Sequence, residues 1–420
     1  MISYDVAQFG APLQRFERPT PRPQGTEVLV RTLAAGVCHS DLHLWEGGYD
    51  LGSAGRLNVA DRGVALPLTM GHEIAGKVEA LGPEASGVAI GGKYLVFPWI
   101  GCGGCAVCRS GDEQLCLKPQ FLGIYRSGGY GDHVLVPHPR YLIPLGDLSP
   151  AEAAPYACSG VTTFGALRKL AGIIEEHPIV VIGAGGLGLM CLTLLEAMGG
   201  RGAVVVDIDA RKRQAALDAG ALAAVDGAAP DAAAQVAAAV GGPVLGVIDY
   251  VGAGGVGLMA AQIVRAITEA RVTFVDLDAR KLEAARGFGD FAVLDGSAVD
   301  PREELMRRTD GRGVAAVVDF VGSSQTAALG QAVLAKNGTL VIVGLFGGEL
   351  TVPLPPIPMR AVTIQGSYVG SLGELNDLMA LVNRAKIARI PIATRPQSEA
   401  DAALHDLRAG HTVGRCVLVP

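Results

Sequence analysis

Val180-Val-Ile-Gly183-Ala-Gly185-Gly-Leu-Gly188 is an apolar strand run that opens into glycines spaced G-x-G-x-x-G, and Asp207 follows 24 residues after Gly183. The first glycine permits a tight turn, the second lets backbone approach a pyrophosphate, and the third allows close packing of the helix that follows. Asp207 ends the next apolar strand, Ala203 to Val206, where a carboxylate accepts hydrogen bonds from ribose hydroxyls and repels a 2'-phosphate. Strand, glycines, helix and acid together predict a dinucleotide-binding βαβ unit that favours NAD over NADP.

Working outward, the texture changes near Pro155. Before it the chain is rich in glycine and proline and reads as short β segments such as Glu27 to Leu33, Gly76 to Leu81 and Tyr94 to Phe97. After it, Val/Ile runs alternate with Ala-rich segments of helical length, the pattern of a parallel sheet. The last fifty or so residues hold one predicted helix, Leu372 to Ala385, and a terminal strand, Arg415 to Val419, predicted to fold back onto the first domain.

The fingerprint occurs twice. Ala184 to Gly220 aligned with Ala253 to Gly289 at an offset of 69 gives 16 identities in 37 positions, including AGG-x-GLM and D-x-DARK. Each copy ends in a similar strand, VIDYVG at Val247 to Gly252 and VVDFVG at Val317 to Gly322. Gly252, Gly254, Gly257 and Asp276 repeat the whole motif. They read either as a second dinucleotide site or as a structural duplicate; hydride transfer needs one nicotinamide, which favours the duplicate.

Two cysteine clusters point to metal. Cys102, Cys105, Cys108 and Cys116 have the spacing C-x2-C-x2-C-x7-C in a glycine-rich loop, a set that closes a tetrahedral zinc shell with no open position. The second cluster is dispersed: Gly36-Val-Cys38-His39-Ser40-Asp41, Gly71-His72-Glu73 and Cys158. Two thiolates and one imidazole leave the fourth position of a zinc open, as catalysis requires.

Composition narrows the remaining classes. The chain has 420 residues, half of them hydrophobic, 58 aperiodic glycines and a net charge of -6, which excludes disordered and collagen-like chains. No basic field invites a nucleic acid, no apolar run approaches the length of a membrane span, and the first residues lack a secretory pattern. A soluble cytoplasmic protein is expected, with neither nucleic acid nor membrane as partner.

GVCHSD, GHE, the four-cysteine lobe and GAGGLG together resemble the zinc-dependent medium-chain alcohol dehydrogenases. The resemblance implies an α/β plus β fold: a GroES-like catalytic domain at 1–157 with a structural zinc lobe at about 98–118, and a Rossmann parallel-sheet domain at 158–368. The latter is enlarged by the repeats at about 184–252 and 253–322, and residues 369–420 return to the catalytic domain. It implies two Zn2+ per chain and NAD. Cys38, His72 and Cys158 would hold the catalytic zinc, with Glu73 able to approach it. Ser40 and His43 would relay the proton, and Asp41 would orient His72. His39 and Arg415 would contact the pyrophosphate, Lys212 the ribose, and Thr162 the nicotinamide. Gly183, Gly185, Gly186, Leu187, Gly188, Asp207 and Val343 complete the expected coenzyme site. The implied reaction is reversible NAD-dependent oxidation of primary or secondary alcohols, through a zinc-activated alkoxide and hydride transfer, in a homodimer or homotetramer. A polyol or hydroxyacyl dehydrogenase, or a nonenzymatic NAD binder, are the alternatives.

Two departures stand out. Tyr49 to Val64 is longer than is usual in the family, and the duplication must either extend the sheet or form a second one. Trp45, Trp99 and Tyr49 are read as the wall of an apolar cleft for a medium-sized or aryl alcohol, or equally as packing aromatics. Arg56 and Arg62 leave a charged substrate open.

Overall fold

The computed structural model describes residues 1–168, 178–226 apart from 183 and 208, 347–385, 392–409 and 415–420, with the strands at 247–249, 273–276, 292–295, 314–319 and 334–342 and a few single positions. The chain forms two compact units: residues 1–49, 56–165 and 368–420, and residues 50–55 and 166–367.

The first unit is built on a mixed seven-stranded sheet. Its order is Leu142–Pro144, Lys93–Val96, Glu73–Leu81, Val28–Gly36, Arg415–Val419 and Ile392–Pro396, with His133–Val136 also paired to Val28–Gly36. Val28–Gly36 buries nearly every residue, because the sheet is covered on both faces along this strand. The predicted helix Leu372–Ala385 and strand Arg415–Val419 both form and both belong to this unit. Antiparallel pairing sets Gly36 opposite Glu73, and Gly36 also faces Val417 of the terminal strand. Three distant stretches of sequence thereby meet at one end of the sheet.

The second unit holds a parallel sheet in the order Ala223–Asp226, Ala203–Asp207, Ile179–Ile182, Val247–Asp249, Val314–Asp319, Leu334–Ile342 and Thr363–Gly366. The order reverses between Ile179–Ile182 and Val247–Asp249, the switch point at which doubly wound sheets open a crevice at their carboxyl ends. The helix Gly186–Ala197 starts there, and Leu189 to Leu195 along it are buried. Both arrangements left open for the duplication have a counterpart among the described strands: Val314–Asp319 of the second copy joins the seven-stranded sheet between Val247–Asp249 and Leu334–Ile342, whereas Thr273–Asp276 pairs in parallel with Ala292–Asp295 as a separate two-stranded ladder. Val247–Asp249 is thus the fourth strand of the first repeat and also the strand leading into the second fingerprint. Gly252, Gly254 and Gly257 lie outside the described residues, as do Gly183 and Val343.

Candidate metal centre and coenzyme loop

Each residue of the candidate buried metal centre is set by a local structural event. Cys38 is the N-cap of helix His39–Glu46, and its backbone N–H donates to Asp41 Oδ2 at 2.9 Å, closing the helix start on itself. His72 immediately precedes strand Glu73–Leu81, held by a turn in which Gly71 has φ +90°, and a Cβ on Gly71 would overlap the Tyr130 ring. Tyr130 in turn donates its O–H to Asp41 Oδ2 at 3.1 Å. Cys158 sits between the 3-10 turn Ala154–Ala157 and helix Ser159–Arg168.

The ligand atoms of Cys38, His72 and Cys158 lie within 4.8 Å of one another, and all three side chains are buried. The Cys38 and Cys158 sulfurs are 3.8 Å apart. A tetrahedral zinc with bonds of about 2.3 Å sets its sulfurs about 3.8 Å apart, whereas a disulfide needs about 2.05 Å. His72 turns Nδ1 to within 3.2 Å of Asp41 Oδ1, while its buried Nε2 has no hydrogen-bond partner among the described residues. A buried imidazole nitrogen without a partner is costly unless it ligates, so the donor set fits a zinc ion. Cys38 is held below the usual thiol range by the hydrogen bond with Cys158, with Arg415 and His72 assisting, and the same bond pushes Cys158 up.

Glu73 and Arg415 are the floor of the site. The Arg415 guanidinium donates to Glu73 Oε1 and lies 3.7 Å from Cys38 Sγ, so the residue expected at the pyrophosphate packs against the metal ligands. Glu73 Oε2 has no hydrogen-bond partner among the described residues, and burial pushes the carboxyl up to about 7 against the pull of Arg415. Gly36 makes room for it, because a Cβ there would overlap Oε2. Gly36→Ala should destabilise the first unit by about 1–3 kcal/mol, lowering the melting midpoint by several degrees. A thermal melt matching the parent would show that Glu73 repositions freely.

The remaining residues expected near the reaction are placed as follows. Ser40 Oγ is 3.9 Å from Cys38 Sγ, His43 lies one helical turn on, and His39 is exposed. Thr162 is in the first turn of helix Ser159–Arg168, its N–H donating to Cys158 O at 2.9 Å. Trp99 is a core aromatic beside the candidate ligands: its indole N–H donates to Ala157 O, and its ring centroid is 5.3 Å from that of His72. Trp45 instead packs against His405 and donates to Ala11 O, away from the ligands.

The second cluster also has the spacing of a closed shell. Among Cys102, Cys105, Cys108 and Cys116 the recorded sulfur separations are 4.0 Å (102 to 108), 3.4 Å (105 to 108) and 3.9 Å (105 to 116). Backbone N–H groups of Cys102, Cys108 and Lys118 point at these sulfurs. Sequence reasoning missed Glu113, a buried carboxylate that accepts from Gly101 N–H and Tyr141 O–H and pairs with Arg140, tying the loop to the sheet. Its only signal was an acid inside a cysteine loop.

In the second unit, Asp207 is buried and its carboxylate accepts backbone N–H groups from Ala184 (2.8 Å) and Asp209 (2.8 Å). It therefore holds the fingerprint turn as well as ending its strand. Gly185 is the N-cap of the following helix, with no side-chain cap and open space where a Cβ would be. Free N–H groups, a helix dipole and room for atoms fit a pyrophosphate. Gly186, Leu187 and Gly188 form the first turn, and Lys212 lies on helix Ala210–Asp218.

Comparison with known proteins agrees with this geometry. Residues 24–147 match the alcohol dehydrogenase GroES-like domain, and residues 255–384 match the zinc-binding dehydrogenase family. An NAD-dependent alcohol dehydrogenase of Sulfurisphaera tokodaii is 36% identical over 421 residues, covering all of both chains. This chain belongs to the zinc-dependent medium-chain alcohol dehydrogenases. Other members of the family lie further off: the D-arabinose 1-dehydrogenase (NADP(+)) of Saccharolobus solfataricus is 28% identical, over 99% of this chain and 96% of its own. The crystal structure of the alcohol dehydrogenase from Aeropyrum pernix superposes with a TM-score of 0.66 at 26% identity, covering both chains fully. The family's zinc-binding dehydrogenase match begins inside the second repeat.

Proposed function

We propose that the protein oxidises primary or secondary alcohols to aldehydes or ketones, reversibly, with NAD and two Zn2+ per chain. The single observation that carries this is the buried Cys38, His72 and Cys158 constellation, with sulfurs at tetrahedral spacing and an unpartnered His72 Nε2. Bound there, zinc supplies Lewis acidity toward the substrate oxygen, and NAD supplies the hydride acceptor.

The chain's own residues do the rest. Asp41 fixes the His72 ring, and Arg415 with Glu73 balances charge beneath the ligands. Ser40 accepts the alcohol proton and hands it to His43. Burial, helped by the charge of His39, holds His43 below the ordinary histidine range, so its imidazole is neutral and able to accept a proton at pH 7. The protonated form gains population only as pH falls below about 6.5, so the acid limb of kcat/KM lies below that value. His43→Gln should slow oxidation about ten- to a hundredfold at pH 7, with the loss shrinking at high pH as solvent hydroxide takes over. A pH profile parallel to the parent's would remove His43 from the relay.

In the coenzyme unit the first repeat is the working site: Asp207 receives the ribose, and Gly185 to Gly188 the pyrophosphate. Asp207 in the seven-stranded sheet supports this choice. One observation favours a second reading, since the zinc-binding dehydrogenase match spans Gly255 onward, and Asp276 would then take the ribose. A cytoplasmic homodimer or homotetramer completes the proposal.

The test is NADH formation by zinc-loaded protein over an alcohol panel, with NADH sites per chain counted by calorimetric titration. Turnover with NAD at least tenfold above NADP, abolished by stripping metal, is expected. No coenzyme reduction with any alcohol, or a rate indifferent to metal, would overturn it. One NADH site lost in Asp207→Ala assigns the first repeat; one lost in Asp276→Ala assigns the second.

A further inference from the structure

Three tyrosines far apart in sequence lie on the rings that surround the metal motifs. The Tyr49 ring stacks at 4.8 Å on His43. The Tyr368 ring lies 6.0 Å from Trp99, which itself contacts the His72 ring. Tyr125 lies 6.0 Å from Phe121, whose ring is 5.4 Å from Trp99. Tyr49 and Tyr125 pack against the same buried cluster, which includes Leu42, Trp45 and Met70, and Tyr125 and Tyr368 are linked through Phe121 and Trp99. None of the three O–H groups has a hydrogen-bond partner among the described residues. Tyr49 and Tyr125 are half-buried, and Tyr368 is 40% exposed.

A wall made only for an apolar alcohol has no use for three phenols. Covering them with hydrocarbon removes their water and returns nothing, the situation in which a site discriminates most strongly against a ligand lacking the matching polar group. Phenylalanine would supply the same flat surface without that loss.

Resting on the alcohol dehydrogenase reading, we infer that the substrate has a flat apolar body and a second hydrogen-bonding oxygen remote from the reacting carbinol, bound by Tyr49, Tyr125 and Tyr368. The rings take the body by offset and edge contacts, and the phenols take the distal oxygen. Substrate class is thereby set by residues outside the metal motifs.

The test compares 1,4-benzenedimethanol with 4-methylbenzyl alcohol, which differ by one distal hydroxyl. A second arm needs no turnover: affinities of 4-(hydroxymethyl)benzamide and 4-methylbenzamide for the zinc-loaded enzyme with NADH, read by NADH fluorescence. The hydroxylated member of each pair should win by about tenfold or more, beyond the factor of two from the diol's second carbinol. In the triple variant Tyr49→Phe, Tyr125→Phe, Tyr368→Phe, with folding checked by thermal melt, both ratios should fall to within about threefold of unity. Amide affinities that are equal in the parent, or a preference that survives the triple variant, overturns the inference. Amide selectivity without oxidation of either alcohol supports the inference while removing the oxidation reading.

Discussion

Cys38→Ser should lower alcohol oxidation by at least about a thousandfold and bring the zinc content from two ions per chain to one. Serine keeps the shape of the side chain but offers a hydroxyl that does not ionise near neutrality, whereas the native thiol is already held low by Cys158, Arg415 and His72. With one thiolate and one imidazole left, the cavity loses the charge that balances a dication. The Glu73 and Arg415 pair beneath it persists, so the fold should survive and the melting midpoint should change little. Metal analysis alongside kinetics separates the outcomes: undiminished turnover would remove Cys38 from catalysis, and loss of both ions would mean the two sites are coupled.

The second large effect is on stability. Cys105→Ser should release the lobe's zinc and destabilise the protein by about 5 kcal/mol, a fall on the order of 10 °C in melting midpoint, while turnover at low temperature persists. Besides the metal, the lobe is held by Glu113, which links Gly101, Tyr141 and Arg140. Between Cys102 and Lys118, Leu115 is 51% exposed and Leu117 89%, and the buried side chains are Cys108, Cys116, Glu113 and Gln114. A metal held by four thiolates would replace the hydrophobic core that so short a loop cannot form. Differential calorimetry with metal analysis reads the effect, and an unchanged midpoint in protein lacking that ion would show the loop is self-supporting.

Much of this was legible in sequence because its signals are local. Cysteine spacing encodes the lobe, the glycine fingerprint with Asp207 encodes the crevice, and the 3.6-residue and alternating patterns encode helix Leu372–Ala385 and strand Arg415–Val419. What stayed hidden depends on pairing between distant strands. Gly36, Glu73 and Val417 share a register that no spacing rule reveals, and it draws Arg415 beneath Cys38. Tyr49, Tyr125 and Tyr368 have no common motif, and only the fold brings them to one wall. Tyr130 is likewise invisible until Gly71 lets its ring pass close to the metal motif.

The strand Val247–Asp249 has a neighbour on each side, Ile179–Ile182 and Val314–Asp319. In the second repeat the same strand occupies the position that Ile179–Ile182 holds in the first, so Thr273–Asp276 is addressed to the edge that Ile179–Ile182 covers. Two stretches of chain are thus written for one seat, and the one left standing pairs with Ala292–Asp295 instead. Most proteins have a single occupant for each place in a sheet and are selected against rivals. Here the rival is inherited within the chain; Ile179–Ile182, which holds the seat, has two further strands on its far side, whereas Thr273–Asp276 has one partner, Ala292–Asp295.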